Sequence, residues 1–407
     1  MDCAIYTICN VAYLPRALVL AESVWNNSGG KVEIVIFDGK RDLEVDSNYG
    51  HITWLEDYDV PMYKQLAFKY DILEFATALR PWFAHYFLQN NDTVIYFDPD
   101  MMVYNSLDSV LNDLKRYPII LTPHYTKPHD YDHADSDLSM MRFGSFNLGF
   151  FAIKKTNESV EFLLWLYHRC FHLCFAESQF GLSTDQKWVS IAPCFFPNIH
   201  ISFNLGYNVA YWNMHERTVS KIDGKYYINS EYPLVFFHFS SFDELHPDNL
   251  SKNSSCSQIR EQRKDLIEIS NEYSSLLNKY ELKNTDRKYQ FDYFSNGKPI
   301  APTLRRAYAS IINELPEHDP FDATGIVYKF AKHNHLLVKH QPVYKSHSFN
   351  DINQYKTKFK IITLLMRCVL RYLGPYQFMN FSRLLVYLSS YRQFRALWKF
   401  KLYNNKK

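Results

Sequence analysis

The sequence has little glycine and lacks the glycine-rich motifs that commonly hold nucleotide phosphates. Only 12 of its 407 residues are glycine, and neither G-x-G-x-x-G nor G-x-x-x-x-G-K-S/T occurs in it. In those motifs the small residues let backbone N–H groups approach a phosphate closely. Their absence argues against a Rossmann dinucleotide site and against a P-loop, so any phosphate that this chain binds must be held in another way.

Cysteine is also scarce, and the pattern of its seven residues argues against two further classes. Their number is odd and no C-x-x-C pair is present, so nothing indicates a zinc site or a disulfide framework. The N-terminal stretch MDCAIYTICNVAYL carries an acid where a secretory signal peptide carries bases, and its apolar part is short. We therefore predict that it forms a first strand and that the protein is cytoplasmic.

Negative charge is missing from the C-terminal part of the chain. Residues 352–407 contain 12 Lys or Arg and no Asp or Glu, although the whole chain has 45 basic and 43 acidic residues. The first 351 residues therefore hold 33 basic and 43 acidic side chains, a body of charge −10 with a tail of +12. This asymmetry predicts a polyanionic partner for the tail.

No apolar run in the tail comes near the ~18 residues that span a bilayer. Leu, Ile, Phe, Tyr and Trp instead alternate with a basic residue every three or four positions. This pattern is typical of interfacial helices that lie on an anionic membrane surface. Nucleic acid ranks below, because the apolar content exceeds what a phosphate-tracking arm needs.

Apolar and aromatic side chains are abundant, at 47% and 17% of the residues. This excludes a disordered chain and allows a large core. Strand-like and helix-like segments alternate over the first 255 residues, which predicts an α/β fold with a mainly parallel sheet flanked by helices. The strand-like segments include CAIYTI, KVEIVIFDG, ITWLEDY, VIYF, PIILTPH, FNLGFFAIK and LVFFHFS, and the helix-like ones LPRALVLAESVWNN, NSLDSVLNDLKRY and ESVEFLLWLYHRCFHLCF.

Two segments interrupt this alternation. YDILEFATALRPWFAHYFLQN predicts one helix or two helices broken at Pro81. Residues 123–141 are polar and irregular and exceed the usual loop length, which favours a functional lid or a disordered stretch. This loop holds several potential metal ligands, but their irregular spacing favours a solvated lid over a metal cluster. They are His124, His129, Asp130, Asp132 and His133.

Shifts in composition divide the chain into three predicted parts. Residues 1–255 form the α/β domain, and from about Ser251 the sequence turns to Ser, Lys, Glu and Gln. Residues 256–345 then form a polar helical appendage, and residues 346–407 form the cationic amphipathic tail that associates with a membrane.

The stretch VIYFDPDMMVY places two carboxylates at the end of a strand that reads as buried on both faces. Side chains at positions i and i+2 of a strand point the same way, so Asp98 and Asp100 face one point in space. Because burying an unpaired carboxylate is costly, the pair is either exposed or neutralised by a positive group. Carboxylate oxygens suit Mg²⁺ or Mn²⁺, which substrate phosphates often complete. An exposed turn without a metal is the alternative.

The string TVIYFDPDMMVYNSLDSV resembles the metal-binding strand of GT-A glycosyltransferases. Four other segments fit the same family in order: IYTICNVAYLPRALVLAESV, FNLGFFAIKKT, STDQKWV and LVFFHFSSF. Together they resemble the bacterial GT-A enzymes of surface-polysaccharide assembly, which build O-antigen, lipopolysaccharide or capsule, and are distantly similar to glycosyltransferase family 8. The resemblance covers about residues 1–250 and implies a GT-A type fold.

The resemblance also implies roles for individual residues. It makes His238 the third protein ligand of the metal, against the alternative of a core histidine. Lys252 would reach the diphosphate as a cationic clamp, unless it is a solvated surface lysine. Arg80 occupies a place where the similar enzymes carry a basic residue near the diphosphate or the sugar; a surface arginine is the alternative.

Two further segments are implied to face the sugars. Asn147 and Gly149 resemble the Asn-Ala-Gly element of family 8, in which a small residue lets the sugar approach the backbone, although Leu148 replaces the small middle residue here. Asp185 and Gln186 lie in the segment that faces the acceptor in related enzymes. Asp185 would be the base of an inverting enzyme, or would hold the sugar in a retaining one; the sequence leaves both open.

Several polar residues follow strands at the expected binding edge of the sheet, since open α/β sheets bind ligands beyond the carboxyl ends of their strands. Thr7, Asn10 and Asp38 are therefore candidate contacts for the nucleotide, with helix capping as the alternative. The segment NVAYWNMHER supplies a set suited to stacking and hydrogen bonding with a sugar, unless it is ordinary core. These residues are Tyr211, Trp212, Asn213 and Arg217.

The predicted function is a metal-dependent glycosyltransferase that uses Mn²⁺ or Mg²⁺ as cofactor. It moves a sugar from a nucleotide-diphosphate-sugar donor to a lipid-linked surface glycan at the cytoplasmic face of the inner membrane. A sugar-nucleotide hydrolase that uses water as acceptor is one alternative. A catalytically inactive, membrane-bound scaffold of the same fold is another.

Overall fold

The computed structural model describes residues 2–43, 45, 48–128, 134–252, 263–282, 285–315, 319–340, 356–389, 392 and 395–398. The chain forms two compact units. The first consists of Met1–Pro61 and Ile72–Gln290, and the second of Met62–Asp71 and Phe291–Lys407.

The first unit contains the strands, and most of them belong to one seven-stranded sheet. Its order is β3-β2-β1-β4-β7-β6-β8, beside a pair β5-β12 and a meander β9-β10-β11. The strands are β1 (Cys3–Cys9), β2 (Val32–Ile36), β3 (Gly50–Trp54), β4 (Thr93–Phe97), β5 (Met101–Val103), β6 (Ile119–Pro123), β7 (Phe146–Lys154), β8 (Ile199–Ile201), β9 (Val219–Ile222), β10 (Lys225–Ile228), β11 (Tyr232–Pro233) and β12 (Phe236–His238).

The sheet is mainly parallel. Strands β3, β2, β1 and β4 all run in the same direction, and β8 runs parallel to β6. Only β7 is antiparallel to its two neighbours, β4 and β6. Because the chain proceeds from β1 outward to β2 and β3 on one side and then places β4 on the other, the strand order reverses between β1 and β4. Such a reversal is where open α/β sheets bind ligands.

Helices of the first unit flank the sheet, and the predicted α/β architecture is confirmed. The helices of the first unit are α1 (Leu14–Ser28), α3 (Ile72–Asn90), α4 (Asp108–Arg116), α5 (Ala134–Phe143), α6 (Asn157–Leu173), α7 (Thr184–Val189) and α8 (Ile267–Lys279), and those of the second unit are α2 (Tyr63–Lys69), α9 (Pro302–Ala309), α10 (Ile326–His333) and α11 (Lys356–Ser389). The strand β4 shows why the sequence pattern was informative: all five residues are buried, as expected for a strand that is covered on both faces.

The structure resolves the prediction at Pro81 in favour of a single helix. Helix α3 continues through this proline, although the missing N–H and the ring clash cost about 3 kcal/mol in a helix interior. Phe75, Leu79 and Phe83 are buried on the same helix, and each buried side chain of this size contributes about 2 kcal/mol. Packing therefore outweighs the local penalty.

The prediction of an irregular segment over residues 123–141 was wrong for its second half. Ala134–Phe143 forms helix α5. Residues 134–143 contain neither proline nor glycine, the two residues that most disfavour a helix. Leu138, Met140 and Met141 favour one. His129, Asp130, Asp132 and His133 lie outside the described residues.

Apart from residues 62–71, the first compact unit ends at Gln290 and the second begins at Phe291. The domain boundaries predicted at residues 255 and 345 remain predictions. Helix α8 belongs to the first unit because Ile269, Tyr273 and Leu277 pack in one apolar cluster with Phe237 and Phe239. The ring of Tyr273 stacks on that of Phe239 at 3.8 Å between centroids.

The second unit is organised around a buried arginine. Arg305 donates hydrogen bonds to the carbonyl groups of Ala67, Phe68 and Tyr70 and to the carboxylate of Asp292. These bonds satisfy carbonyls at the C-terminal end of α2, which no residue of the helix can pair. Arg305 thereby joins the two parts of the chain that make up this unit.

Helix α11, in the same unit, exposes most of its apolar side chains. The helix is interrupted at Gly374, whose φ of 73° is not helical, and Pro375 comes next. It therefore consists of two helical segments. Exposed residues include Leu364, Tyr372 and Tyr376. Among the described residues, none of the helices combines the length and the apolar character that crossing a bilayer requires.

Candidate active site

Three potential metal ligands converge beyond the carboxyl end of β4. Asp98 follows β4 and Asp100 precedes β5, while the antiparallel pairing of β5 with β12 sets His238 opposite Met101. His238 Nε2 lies 3.2 Å from Asp100 Oδ1 and 3.9 Å from Asp98 Oδ2. One ligand atom from each of the three lies within 4.8 Å of the others.

The neighbours of Asp100 lower the pKa of its carboxyl group. Burial alone would raise the pKa of its carboxyl group, but the charges of His238 and Arg16 more than offset this and hold the pKa below its usual value. The other ring nitrogen of His238, Nδ1, lies 3.3 Å from the amide oxygen of Asn208. If Nδ1 carries the proton, it donates to that oxygen and leaves Nε2 free to accept a metal.

The donor set fits a divalent cation. Two carboxylates favour Mg²⁺ or Mn²⁺, and an imidazole favours a transition ion, so the combination suits Mn²⁺ at least as well as Mg²⁺. A proton on His238 Nδ1, facing the amide oxygen of Asn208, leaves Nε2 unprotonated, as metal binding requires.

Arg80 lies next to this cluster and is buried, so the alternative of a surface arginine is wrong. Its Nη2 donates to Asp98 Oδ1 at 2.5 Å, its Nη1 to Asp185 Oδ2 at 3.0 Å and its Nε to the hydroxyl of Tyr96 at 3.0 Å. The Tyr96 hydroxyl in turn donates to Asp98 Oδ1 at 2.6 Å. This network fixes the rotamer of Asp98 and leaves its Oδ2 directed at His238.

Asp185 is fully buried within the same network. Burial raises the pKa of its carboxyl group, and the neighbouring Arg80 pulls it back. Its second oxygen accepts from the hydroxyl of Thr184 at 3.2 Å. Thr184 has a positive φ of 48°, a strained conformation for a β-branched residue. Both carboxylate oxygens of Asp185 therefore have protein partners.

The strand β7 supplies Asn147 and Gly149 beside the cluster. A Cβ at Gly149 would lie 2.5 Å from His238 Cε1, so only glycine leaves room for the imidazole ring. Asn147 Oδ1 accepts from the N–H of Gly149 at 3.1 Å and from the amide of Asn208 at 3.1 Å. The side chain of Gln186 accepts from Asn147 Nδ2 at 3.3 Å. These residues form one support for His238.

The three candidates at the ends of β1 and β2 differ in their contacts. Asn10 caps the turn before α1 by accepting from the N–H of Tyr13 at 3.1 Å. Asp38 accepts from the N–H groups of Gly39 and Gln290 and pairs with Arg41 at 2.7 Å. Within the described part of the chain, the buried Thr7 hydroxyl has no hydrogen-bond partner.

Trp212 lies against the metal-ligand cluster, whereas other members of its segment serve the backbone. Its ring is perpendicular to that of His238 at 5.1 Å, and no partner of its buried Nε1 is found among the described residues. Asn213 donates to the carbonyls of His124 and Asn208, and buried Arg217 donates to that of Tyr207. Tyr211 is half-buried.

Lys252 is exposed, and only its backbone N–H contact to Ser241 is described. Sequence reasoning missed three residues that the structure places at the site: Tyr96, Asn208 and Arg16. Tyr96 lies two positions before Asp98 on the same strand face, which was a usable signal. Asn208 and Arg16 come from distant segments, and nothing local in the sequence marks them.

No protein-family model matches the chain. It is similar to two curated proteins of Bacillus subtilis (strain 168), YfnD at 30% identity and YfnF at 25%, each over 175 residues or 42% of this chain. Both are uncharacterized proteins. The chain spans only about half the length of these relatives, 54% of YfnD and 58% of YfnF.

Among solved structures, the chain is similar to the galactosyltransferase LgtC in complex with donor and acceptor sugar analogues. That comparison has a TM-score of 0.41 and 15% identity and covers 70% of this chain and 97% of LgtC. Mouse xyloside xylosyltransferase 1 in its apo form gives a TM-score of 0.34 at 11% identity, over 58% of this chain and 97% of that one. Both structures are of glycosyltransferases, but likenesses this low do not carry a function to this chain.

Proposed function

We propose that this protein is a metal-dependent glycosyltransferase that uses a nucleotide-diphosphate-sugar donor. The observation that carries the proposal is the convergence of Asp98, Asp100 and His238 within 4.8 Å at the point where the strand order reverses. These three residues would hold Mn²⁺ or Mg²⁺. When bound there, the cation supplies positive charge against which a diphosphate leaving group is stabilised.

The chain's own residues orient this chemistry. Arg80 fixes Asp98 and spans to Asp185, so both carboxylates are held by one guanidinium. We infer that Asp185 positions Arg80, with its role as a base remaining a prediction. Gly149 and Asn208 both set the imidazole of His238, Gly149 by leaving space for the ring and Asn208 by its amide oxygen.

The acceptor that we propose is a lipid-linked glycan of the cell surface, such as an O-antigen, lipopolysaccharide or capsule precursor. The resemblance to enzymes of surface-polysaccharide assembly motivates this assignment. The exposed apolar and basic side chains of α11 support attachment at the cytoplasmic face of the inner membrane. Among these are Lys360, Arg367 and Arg371, which would meet anionic headgroups.

The test is a panel of nucleotide sugars incubated with Mn²⁺, with Mg²⁺ and with a chelator. We expect thermal stabilisation by one donor only in the presence of a cation, and loss of that stabilisation in Asp98→Asn and Asp100→Asn. Asp223→Asn is the matched control, since Asp223 is exposed in a turn whose positive φ of 49° asparagine also tolerates.

Product analysis with the stabilising donor separates the remaining alternatives. Transfer that requires a lipid-linked acceptor supports the proposal, whereas free sugar formed regardless of acceptor indicates a hydrolase. If no donor shows cation-dependent binding, the proposed function is wrong, and a scaffold without activity accounts better for the fold.

A further inference from the structure

Arg16 is a partly buried cation that no part of the proposed site has yet used. It lies in the first turn of α1, and its side chain is 12% exposed. Its guanidinium carbon lies 4.4 Å from the centre of the Tyr13 ring. Its Nη2 pairs with the carboxylate of Glu244.

The position of Arg16 is unfavourable unless anions surround it. The N-terminal end of a helix carries partial positive charge, so a cation in the first turn is destabilised there. Burial alone would lower the pKa of Arg16, but nearby groups, first Tyr273 and Tyr13 and then Glu244 and Asp100, outweigh this and raise it. Helix α1 begins just beyond the carboxyl end of β1, and β1 pairs in parallel with β4, which leads to Asp98, so Arg16 starts from the same edge of the sheet as the metal-ligand cluster.

Arg16 in α1 and Arg80 in α3 differ in how many of their guanidinium groups' hydrogen bonds are already made within the protein. Every nitrogen of the Arg80 guanidinium donates to Asp98, Asp185 or Tyr96. The described partner of Arg16 is Glu244, whose side chain is 50% exposed. Water competes for an exposed carboxylate, so such a pair is weak and exchangeable.

The loop that carries Glu244 is connected to the same cluster. The N–H of Phe239, next to His238, donates to the carbonyl of Asp100 at 2.8 Å, and Phe242 packs on Tyr273. Glu244 follows two residues later. Its carboxylate pairs with Arg16, so the loop that follows His238 reaches the cation that an incoming anion would meet.

We propose that Arg16 binds the diphosphate of the donor, and that Glu244 occupies Arg16 in the ligand-free protein and releases it when the diphosphate binds. The inference rests on the proposed function, because it assigns a further residue to that same site. Charge-assisted bonds from a guanidinium to phosphate oxygens are stronger than a half-exposed pair with a carboxylate, which drives the exchange. Glu244 thus competes with the ligand.

The test uses the full-length protein and five nucleoside diphosphates, UDP, GDP, ADP, CDP and dTDP, each titrated with Mn²⁺ by calorimetry. With the tightest of these, Arg16→Gln should weaken binding about tenfold or more. Glu244→Gln should instead strengthen it several-fold, and the double variant should behave like Arg16→Gln. Lys31→Gln, which removes an exposed positive charge near the other end of α1, should have no effect.

The opposite signs of the two variants separate binding from a structural role. If the pair only ties the loop to α1, both variants weaken binding alike, and the inference is overturned. It is also overturned if Arg16→Gln binds as wild type does while Asp98→Asn loses binding, an outcome that leaves the proposed function intact. Absence of Mn²⁺-dependent binding in the wild-type protein overturns both. Unfolding curves without ligand confirm that each variant is folded.

Discussion

The surroundings of Asp98 and helix α11 distribute their polar and apolar groups in opposite ways. Around Asp98, charged side chains are buried and paired, and Arg80 is only 7% exposed. Along α11 apolar side chains face solvent, and Tyr372 is 90% exposed. Soluble proteins rarely tolerate either arrangement over many residues without a functional reason.

The difference shows two ways in which a sequence encodes function. Near Asp98 the function depends on where each atom lies, because a guanidinium, a hydroxyl and an imidazole must meet at hydrogen-bond distance. The membrane association proposed for α11 would depend instead on composition, since any helix with the same exposed apolar and basic side chains would suit an anionic surface. Substitutions should therefore affect the two regions differently.

The largest effect is expected from Arg80→Met, which removes the shared partner of Asp98 and Asp185. Breaking a buried ion pair by deleting one member leaves an uncompensated charge and costs about 3–5 kcal/mol. We expect the free energy of unfolding in urea to fall by this amount, together with loss of activity. Arg142→Met, at an exposed position of α5, should change it little. A near-neutral result for Arg80→Met would mean that the carboxylates find other partners.

The second expected effect is that the free energy of unfolding depends on pH, because the imidazole of His124 has a lowered pKa in the folded protein. Burial lowers the pKa of its imidazole from 6.5 to about 4. Between those values the unfolded chain binds a proton that the folded protein does not, so stability should fall as the pH falls from about 6.5 to 4. At about 1.4 kcal/mol per pKa unit, the loss is at most about 3 kcal/mol.

Measuring unfolding free energies across this pH range in wild type and in His124→Gln isolates the contribution of this histidine. The wild type should lose more stability than the variant, and the two curves should run parallel above pH 6.5. Curves that remain parallel down to pH 4 would show that His124 is protonated in the folded protein.

A smaller effect is expected from Gly149→Ala. The added methyl group would lie 2.5 Å from His238 Cε1, so the imidazole must rotate away from the two carboxylates. Loss of a ligand's correct orientation typically lowers metal affinity about 10–100-fold, which a Mn²⁺ titration would measure. Gly30→Ala, where the methyl would meet only side-chain carbons at 3.3 Å and beyond, serves as control. Unchanged affinity in Gly149→Ala would argue against His238 as a ligand.

Substitutions at exposed positions of α11 should change the free energy of unfolding least, by less than about 0.5 kcal/mol. Leu364→Asp should nevertheless lower binding to anionic lipid vesicles about tenfold in a co-sedimentation assay, through lost apolar insertion and added negative charge. Asn380→Asp adds the same charge without removing an apolar side chain. Equal losses in the two variants would show that charge alone holds the tail to the surface.

Much of the fold and part of the site could be predicted from the sequence, because the relevant signals are local. The unbroken apolar run of β4 predicted a strand that is covered on both faces. The spacing of Asp98 and Asp100 predicted that they face one point, and they do converge, but because residues 98–100 form a turn between β4 and β5 and not because of strand alternation. His238 came from a resemblance, again through a short motif at a strand end. Each of these needs only a few consecutive residues.

The remainder depends on contacts between distant segments. The pairing of Arg80 with both Asp98 and Asp185 joins three elements, and no single stretch shows it. The pair of Arg16 and Glu244 joins the start of α1 to the loop after β12, which lie far apart in the sequence. Pro81 was a weak signal for a helix break, because the burial of neighbouring side chains stabilises α3 through the proline.

The pairing of β5 with β12 also affects how the site comes into being during synthesis. Both aspartates emerge from the ribosome early, but the imidazole that completes the ligand set arrives only after β12 has been translated and has docked beside Met101. A nascent chain that ends before this strand would bind manganese weakly. On the proposed function, ion capture would thus report that β12 has docked, and a chain released before β12 would lack the complete metal site.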